Sequence, residues 1–170
     1  SCTPTNPDSG PTDMTDQTTT STDWYPALTL ARRGWKISPP TDALKDRVIL
    51  ITGAGDGIGC AAAKTFAHFG ANVLLLGKTR EKLEAVFDDI SANTNTSPVI
   101  VPADLRYLAD ENAMALADSI QDSFGHLDGL LHNASALGLM VPLAHYPKSA
   151  WDEVFAINVT ATALLTRHML

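Results

Sequence analysis

The sequence predicts an α/β fold, with helices packed on both sides of a parallel sheet. Short unbroken runs of aliphatic residues, typical of strands buried on both faces, alternate with segments whose apolar residues recur at helical spacing. The joins between these segments are short, and alternation of this kind implies right-handed crossovers between parallel strands. The pattern starts near Asp46 and continues to Leu170.

Each element can be placed in order from this pattern. The run VILI at 48–51 predicts the first strand, and a glycine-rich turn separates it from a helix that ends at Gly70, a residue typical of helix C-termini. Further strands are predicted at 73–76, 99–101 and 127–131. Further helices are predicted at 80–93 and 108–124, and a loop over 134–149 leads to a last helix from Trp151 to the end of the chain.

The sequence before this pattern has a different character. Residues 1–23 are largely Thr, Pro, Ser and Asp and are predicted to form a disordered tail, and Met14 is the expected natural start. Residues 24–42 contain Trp24 and Trp35 and are predicted to form an arm that packs on the domain or a partner, or else a loosely docked tail. At the other end, the last helix finishes without a capping residue and four strands make a small sheet, so we expect more chain to follow.

Charge and composition disfavour several classes of function. A formal net charge of -7 argues against a nucleic-acid partner, because neutralising phosphates requires a basic face. We expect no membrane span and no secretory signal, since the chain has neither a long apolar run nor a basic start followed by one. The two cysteines, Cys2 and Cys60, are far apart, and the histidines lack metal-ligand spacing. We therefore predict a cytoplasmic protein without a disulfide framework or a metal site, and Cys60 as a buried core residue.

The turn after the first strand carries the clearest chemical signal. Gly53, Gly57 and Gly59 lie between a predicted strand and a predicted helix, where a parallel sheet offers a crevice at the carboxyl ends of its strands. Glycines there allow a sharp turn and a close approach by a pyrophosphate, which the N–H groups of the helix start would bind. A ligand that carries phosphate is therefore predicted. A purely structural turn and a methyltransferase loop for S-adenosylmethionine are the alternatives.

The residues after the second strand indicate which nicotinamide cofactor such a crevice would take. An NAD site places a carboxylate about 20 residues beyond the glycines, where it accepts hydrogen bonds from the ribose 2′-hydroxyl. The stretch LGKTR at 76–80 has no carboxylate; Gly77 leaves room, and Lys78 and Arg80 supply cations for the 2′-phosphate of NADP. NADP is thus favoured over NAD, although Asp56 brings some opposing charge. The alternative is that Lys78 and Arg80 are ordinary solvated charges.

The glycine spacing resembles that of the short-chain dehydrogenases/reductases. Their T-G-x-x-x-G-I-G motif is matched by Thr52, Gly53, Gly57, Ile58 and Gly59. The runs DRVILITGAGDGIG, LLLGKTREKL and LDGLLHNAS are similar to the YciK group of bacterial short-chain oxidoreductases, and the resemblance covers about 43–170. It implies a Rossmann-type, doubly wound sheet, of which this chain holds the N-terminal half. It also implies cofactor contacts at Gly53, Asp56, Gly57, Ile58 and Gly59, and a homo-oligomer when the protein is full length.

Further positions match the family one at a time. Asp104, followed by Leu105, matches an aspartate that contacts the adenine ring; a turn or helix-capping Asp is the alternative. Asn158 matches a helix asparagine that helps to hold a water in the family's proton relay; a helix-surface Asn is the alternative.

Another match follows the fourth predicted strand. Asn133 and Ala134 match the centre of the family's N-N-A-G motif at the cofactor site. His132 replaces the first Asn of that motif, and Ser135 replaces its Gly.

The family's catalytic serine and Tyr-x-x-x-Lys motif have no counterpart in these 170 residues. Tyr25, Tyr107 and Tyr146 all lack a lysine four residues later. We expect the missing groups downstream, in a full-length enzyme that moves a hydride between NADP(H) and a small alcohol or carbonyl substrate. The fragment itself should be inactive. The alternative is a non-catalytic dinucleotide-binding sensor or interaction module, which a true stop codon after Leu170 would favour.

Overall fold

A computed structural model describes residues 39–170 of the chain. The predicted tail at 1–23 and all but the last residues of the predicted arm at 24–42 lie outside this part. Four parallel strands form one sheet in the order β3-β2-β1-β4. They are β1 (Val48–Thr52), β2 (Asn72–Gly77), β3 (Val99–Pro102) and β4 (Gly129–Leu131).

Helices connect the strands and continue beyond the sheet. The first three are α1 (Gly57–His68), α2 (Arg80–Asn93) and α3 (Asp110–Phe124). After β4, α4 (Lys148–Phe155) runs through a π-helical segment (Ala156–Thr160) into α5 (Ala161–Met169). Short 3₁₀ turns lie at Leu105–Tyr107 and Leu143–His145.

Both faces of the sheet are covered, which explains why the strands read as unbroken apolar runs. Alternate strand residues such as Ile51 and Leu75 face one buried cluster, which also contains Leu83 of α2. Their neighbours Leu50 and Leu74 face a second cluster on the opposite side. The first cluster is completed by α1 and α2, and the second by α3 and α5. The predicted α/β fold with a doubly wound parallel sheet is confirmed.

The end of α1 shows why a glycine was expected there. Gly70 has a φ of +96°, in the left-handed region where a side chain is strained. Its N–H donates to the Ala67 carbonyl at 3.0 Å, and the Ala71 N–H donates to the Phe66 carbonyl at 3.0 Å. These two bonds form a Schellman motif, which satisfies carbonyls that a helix end leaves without partners.

Two predicted boundaries were wrong. The helix expected from residue 108 begins at Asp110, because the Asp104 carboxylate accepts the Arg106 N–H at 3.0 Å and starts a separate 3₁₀ turn. The strand expected at 127–131 is Gly129–Leu131. The Asp128 carboxylate accepts the Val48 N–H at 2.8 Å, where a strand would offer a backbone carbonyl, and the paired residues start at Gly129, two residues later than predicted.

The last helix also differs from its prediction. It begins at Lys148 rather than Trp151, and the π-helical segment at Ala156–Thr160 was not foreseen. Cys60 lies in the core as expected, with no exposed surface.

Candidate functional site

A cleft of about 360 Å³ opens at the carboxyl ends of β1, β2 and β3. This is where a sheet with helices on both faces offers room for a ligand, since the loops there diverge to opposite sides. The predicted site residues that line it are Gly53, Asp56, Lys78, Asp104, Leu105, Asn133 and Ala134. The remaining lining residues are Gly55, Leu76, Gly77, Thr79, Lys82, Leu83, Ala103, Ser135 and Ile157.

The glycine loop forms the wall of the cleft next to β1. Gly53 and Gly57 have φ values of +67° and +50°, which side chains rarely adopt. A Cβ at Gly57 would meet no atom within 4 Å, so the space above this residue is open. By contrast, a Cβ at Gly59 would overlap the Gly53 carbonyl oxygen and lie 2.5 Å from Asn133 Nδ2. Gly57 therefore borders open space at the start of α1, outside the lining of the cleft, whereas Gly59 allows α1 to pack against the loop.

The ends of β1 and β4 are joined by hydrogen bonds of Thr52 and Asn133. The buried Thr52 hydroxyl accepts the backbone N–H groups of Asn133 and Ala134, both at 3.0 Å, and donates to the Leu131 carbonyl at 3.3 Å. Asn133 Nδ2 donates to the carbonyls of Thr52 at 3.0 Å and Gly53 at 3.3 Å. These bonds place Asn133 and Ala134 against the glycine loop, in the cleft wall where the sequence predicted them.

Asp56 is the residue that caps α1. Its Oδ1 accepts the Gly57 N–H at 2.8 Å, and its Oδ2 lies 2.5 Å from Lys82 Nζ. The hydrogen bond from Lys82, followed by that from the Gly57 N–H, lowers the pKa of Asp56 from its ordinary value of 3.8. The carboxylate is therefore charged at neutral pH, at the edge of the cleft.

The two predicted 2′-phosphate contacts occupy different surroundings. Lys78 lines the cleft next to Gly77 at the end of β2. Arg80 pairs with Glu84, one helical turn away, at 2.8 Å and does not line the cleft. Lys82, which sequence reasoning missed, does line it. The only sequence signal for Lys82 was a third cation within the run KTREK at 78–82.

Asp104 has the turn-capping role that was the alternative from sequence, and its contact with an adenine ring stays a prediction. It lines the cleft, and its carboxylate caps the following 3₁₀ turn and pairs with the Arg106 guanidinium at 2.6 Å. The hydrogen bonds from Arg106 are the main cause that lowers the pKa of Asp104. Leu105 is largely buried beside it in the second core cluster and also reaches the cleft.

The other predicted residues lie around the cleft rather than in its lining. Ile58 is 80% exposed at the start of α1. Asn158, in the π-helical segment, accepts the Ala136 N–H at 2.8 Å through Oδ1 and donates to the Ala136 carbonyl at 2.9 Å through Nδ2. Asn158 therefore holds the segment that follows Asn133 and Ala134, instead of being an unattached surface residue.

Comparison with known proteins agrees with this arrangement. The family model described as short chain dehydrogenase matches residues 47–170. The chain belongs to the short-chain dehydrogenase/reductase family. The uncharacterized oxidoreductase YciK of Escherichia coli (strain K12) is 43% identical over 132 residues, which make up 78% of this chain and 52% of that protein.

Solved structures of short-chain dehydrogenases show the same fold. The structure of the E. coli oxidoreductase yciK superposes with a TM-score of 0.75 at 43% identity, covering 78% of this chain and 55% of that one. A Shigella flexneri protein assigned to the short-chain dehydrogenases, solved in complex with NADP, gives a TM-score of 0.74 at 44% identity and covers 77% of this chain and 55% of that one. The chain thus spans about half the length of these relatives.

Residues 39–170 contain no group of three or more His, Cys, Asp or Glu side chains arranged to hold a metal ion. No helix in the same range is long and apolar enough to cross a membrane.

Proposed function

We propose that the cleft binds NADP(H), and that the whole protein moves a hydride between NADP(H) and a small alcohol or carbonyl compound. The observation that carries the proposal is the end of β2, where Gly77, Lys78 and Thr79 line the cleft and no carboxylate is present. A carboxylate there would accept a hydrogen bond from the ribose 2′-hydroxyl of NAD and would repel the 2′-phosphate of NADP. Family membership and the NADP complex of the Shigella relative support the same cofactor.

The proposal assigns each wall of the cleft to one part of the cofactor. The pyrophosphate would lie over Gly57, at the start of α1, where helix N–H groups have no acceptor within the helix. The adenosine ribose would lie at Gly77 and Lys78, and the adenine ring beside Asp104 and Leu105. When bound, the cofactor supplies the hydride chemistry, while these residues hold and orient it.

The remaining parts of the reaction are assigned by resemblance to the family. Asn158 would act in the proton relay and, through its two bonds to Ala136, would also hold the loop beside the nicotinamide end of the cleft. The 170 residues contain no Tyr-x-x-x-Lys motif, so this chain alone would not turn over. The proposal places the full-length protein in the cytoplasm as a homo-oligomer.

The test separates two cations that the structure puts in different surroundings. In the full-length gene product, Lys78→Ala should weaken NADPH binding by about tenfold, because a charge-assisted contact to phosphate is lost. NADH binding should change less than about twofold. Arg80→Ala is the control: it removes a cation of the same segment that pairs with Glu84 outside the cleft. Dissociation constants from fluorescence titration would be compared.

Equal losses of NADPH and NADH affinity in Lys78→Ala would overturn the assignment of the 2′-phosphate. An Arg80→Ala variant that loses NADPH affinity as strongly as Lys78→Ala would show that the guanidinium leaves Glu84 when the cofactor binds. A wild-type protein that binds neither nucleotide would overturn the proposed function itself.

A further inference from the structure

An ion pair between the glycine loop and α2 lies at the rim of the cleft. Lys82 Nζ is 2.5 Å from Asp56 Oδ2, and both residues line the cleft. The two side chains are each more than half exposed, so their attraction is screened by water and is weak enough to be exchanged for another partner. Asp56 occupies a variable position of the glycine motif, and Lys82 lies outside that motif.

The packing of the glycines fixes where Lys82 lies. A Cβ at Gly55 would be 3.0 Å from the Lys82 Cβ and 3.4 Å from Leu83 Cδ2. A Cβ at Gly77 would be 3.2 Å from the same Leu83 atom. Gly55 and Gly77 therefore both contact Leu83. The backbone of Lys82 lies at the same corner of the cleft as Gly77 and Lys78. The flexible stem of Lys82 can carry its ammonium across this corner.

We propose that Lys82 is a second cationic contact for the 2′-phosphate of NADP(H), and that Asp56 competes with this phosphate for the Lys82 ammonium. The proposal rests on the proposed function. In the protein without nucleotide, Asp56 holds Lys82 at the rim. When NADP(H) binds, the Lys82 ammonium interacts with the 2′-phosphate dianion, wholly or partly in place of Asp56. The Asp56 carboxylate repels this phosphate. Asp56 thereby lowers the affinity for NADP(H) more than that for NAD(H).

Asp56 can be neutralised without removing the helix cap. Asparagine is as good an N-cap as aspartate, and its side-chain oxygen can accept the Gly57 N–H as Asp56 Oδ1 does. Asp56→Asn therefore removes the charge that competes for Lys82 and leaves the local backbone supported. Lys82→Ala removes the cation and leaves the Asp56 charge unopposed at the cleft.

A double-mutant cycle in the full-length gene product tests the proposal. NADPH and NADH dissociation constants would be measured for wild type, Asp56→Asn, Lys82→Ala and the double variant. We expect Asp56→Asn to tighten NADPH binding about two- to fivefold and Lys82→Ala to weaken it about three- to tenfold, with NADH changing less than about twofold in each. In the Asp56→Asn background, Lys82→Ala should still weaken NADPH binding, because the lysine contacts the phosphate itself.

A second Lys–Asp pair provides the matched control. Lys64 of α1 and Asp89 of α2 lie 2.8 Å apart, and neither lines the cleft. Lys64→Ala and Asp89→Asn make the same two changes of charge in an ion pair outside the cleft and should leave both dissociation constants unchanged. Thermal unfolding of every variant would show that the chains are folded.

Three outcomes would overturn the inference. If Lys82→Ala is silent in the Asp56→Asn background, Lys82 only neutralises Asp56. If Lys82→Ala weakens the binding of NADPH and of NADH equally, the lysine contacts a chemical group that both nucleotides share. If Asp56→Asn leaves NADPH affinity unchanged, no competition exists. Each of these results is compatible with a cleft that binds NADP(H), whereas loss of all nucleotide binding in the wild type would remove the proposed function.

Discussion

At the residue scale, two glycines of the loop after β1 are needed for different physical reasons. Gly57 has a positive φ and open space around it, so a side chain there would enter the volume assigned to the pyrophosphate. Gly59 has no such space, because a Cβ would overlap the Gly53 carbonyl oxygen. A change at Gly57 should therefore act mainly on binding, and a change at Gly59 mainly on the fold.

Replacing Gly57 by Val should abolish nucleotide binding and leave the helix signal in far-UV circular dichroism largely intact. The left-handed backbone would cost about 1–2 kcal/mol in the free energy of unfolding. Gly125→Val is the matched control, since Gly125 also has a positive φ, +77°, and open space around its Cβ position, at the end of α3. The prediction fails if Gly57→Val retains its nucleotide affinity or if Gly125→Val loses it as well.

At the scale of elements, the hydroxyl of Thr52 joins β1 to the chain that leaves β4. Residues 52 and 133 are far apart in sequence, and the sheet brings them together because β4 pairs with β1. The two N–H groups that this hydroxyl accepts belong to Asn133 and Ala134, which line the cleft. One side chain therefore contributes both to the sheet and to the shape of the proposed cofactor site.

Thr52→Val should lower the free energy of unfolding by about 1–3 kcal/mol, because it leaves polar groups in a buried place without their acceptor. It should also weaken nucleotide binding, since Asn133 and Ala134 lose the group that positions them. Thr52→Ser keeps the hydroxyl and should lose much less stability and much less nucleotide affinity. Urea unfolding and nucleotide titration of the two variants provide the comparison. Equal stability of the Val and Ser variants would show that these hydrogen bonds contribute little.

At the scale of the whole molecule, β4 lies at an edge of the sheet. In the order β3-β2-β1-β4, its outer side carries backbone N–H and C=O groups with no neighbouring strand among residues 39–170. Later in the chain, apolar side chains are exposed: Met140 is 93%, Val159 52% and Phe155 44% accessible. An unpaired strand edge and exposed apolar side chains both favour association with other chains.

The 170-residue chain should therefore self-associate and unfold with low cooperativity. Sedimentation at several concentrations, with thermal unfolding, would be compared with the full-length E. coli YciK, which extends well beyond the matched region. Replacing Met140 and Val159 by Lys should reduce the association, because both side chains are exposed and apolar. A monodisperse chain whose unfolding is as cooperative as that of the longer relative would contradict this expectation.

Most strands and helices, their succession along the chain and the location of the cleft could be predicted from the sequence. Apolar periodicity is a local property, so the strands at 48–51 and 73–76, the α/β fold and the helix end at Gly70 were predicted correctly. The spacing of Gly53, Gly57 and Gly59 after a buried strand predicted a crevice at this loop, where the cleft lies, and phosphate binding there stays a prediction.

Which side chains come into contact depends on how the elements pack in three dimensions. Arg80 and Lys82 are equally cationic in sequence, yet Arg80 pairs within its helix, whereas Lys82 reaches Asp56 in another element and lines the cleft. The hydrogen bonds of Thr52 with Asn133, and of Asn158 with Ala136, likewise join segments that only the sheet order and helix packing bring together. Local spacing determines which secondary structure forms. Contacts between distant residues depend on how the formed elements pack, and a local sequence pattern therefore does not predict them.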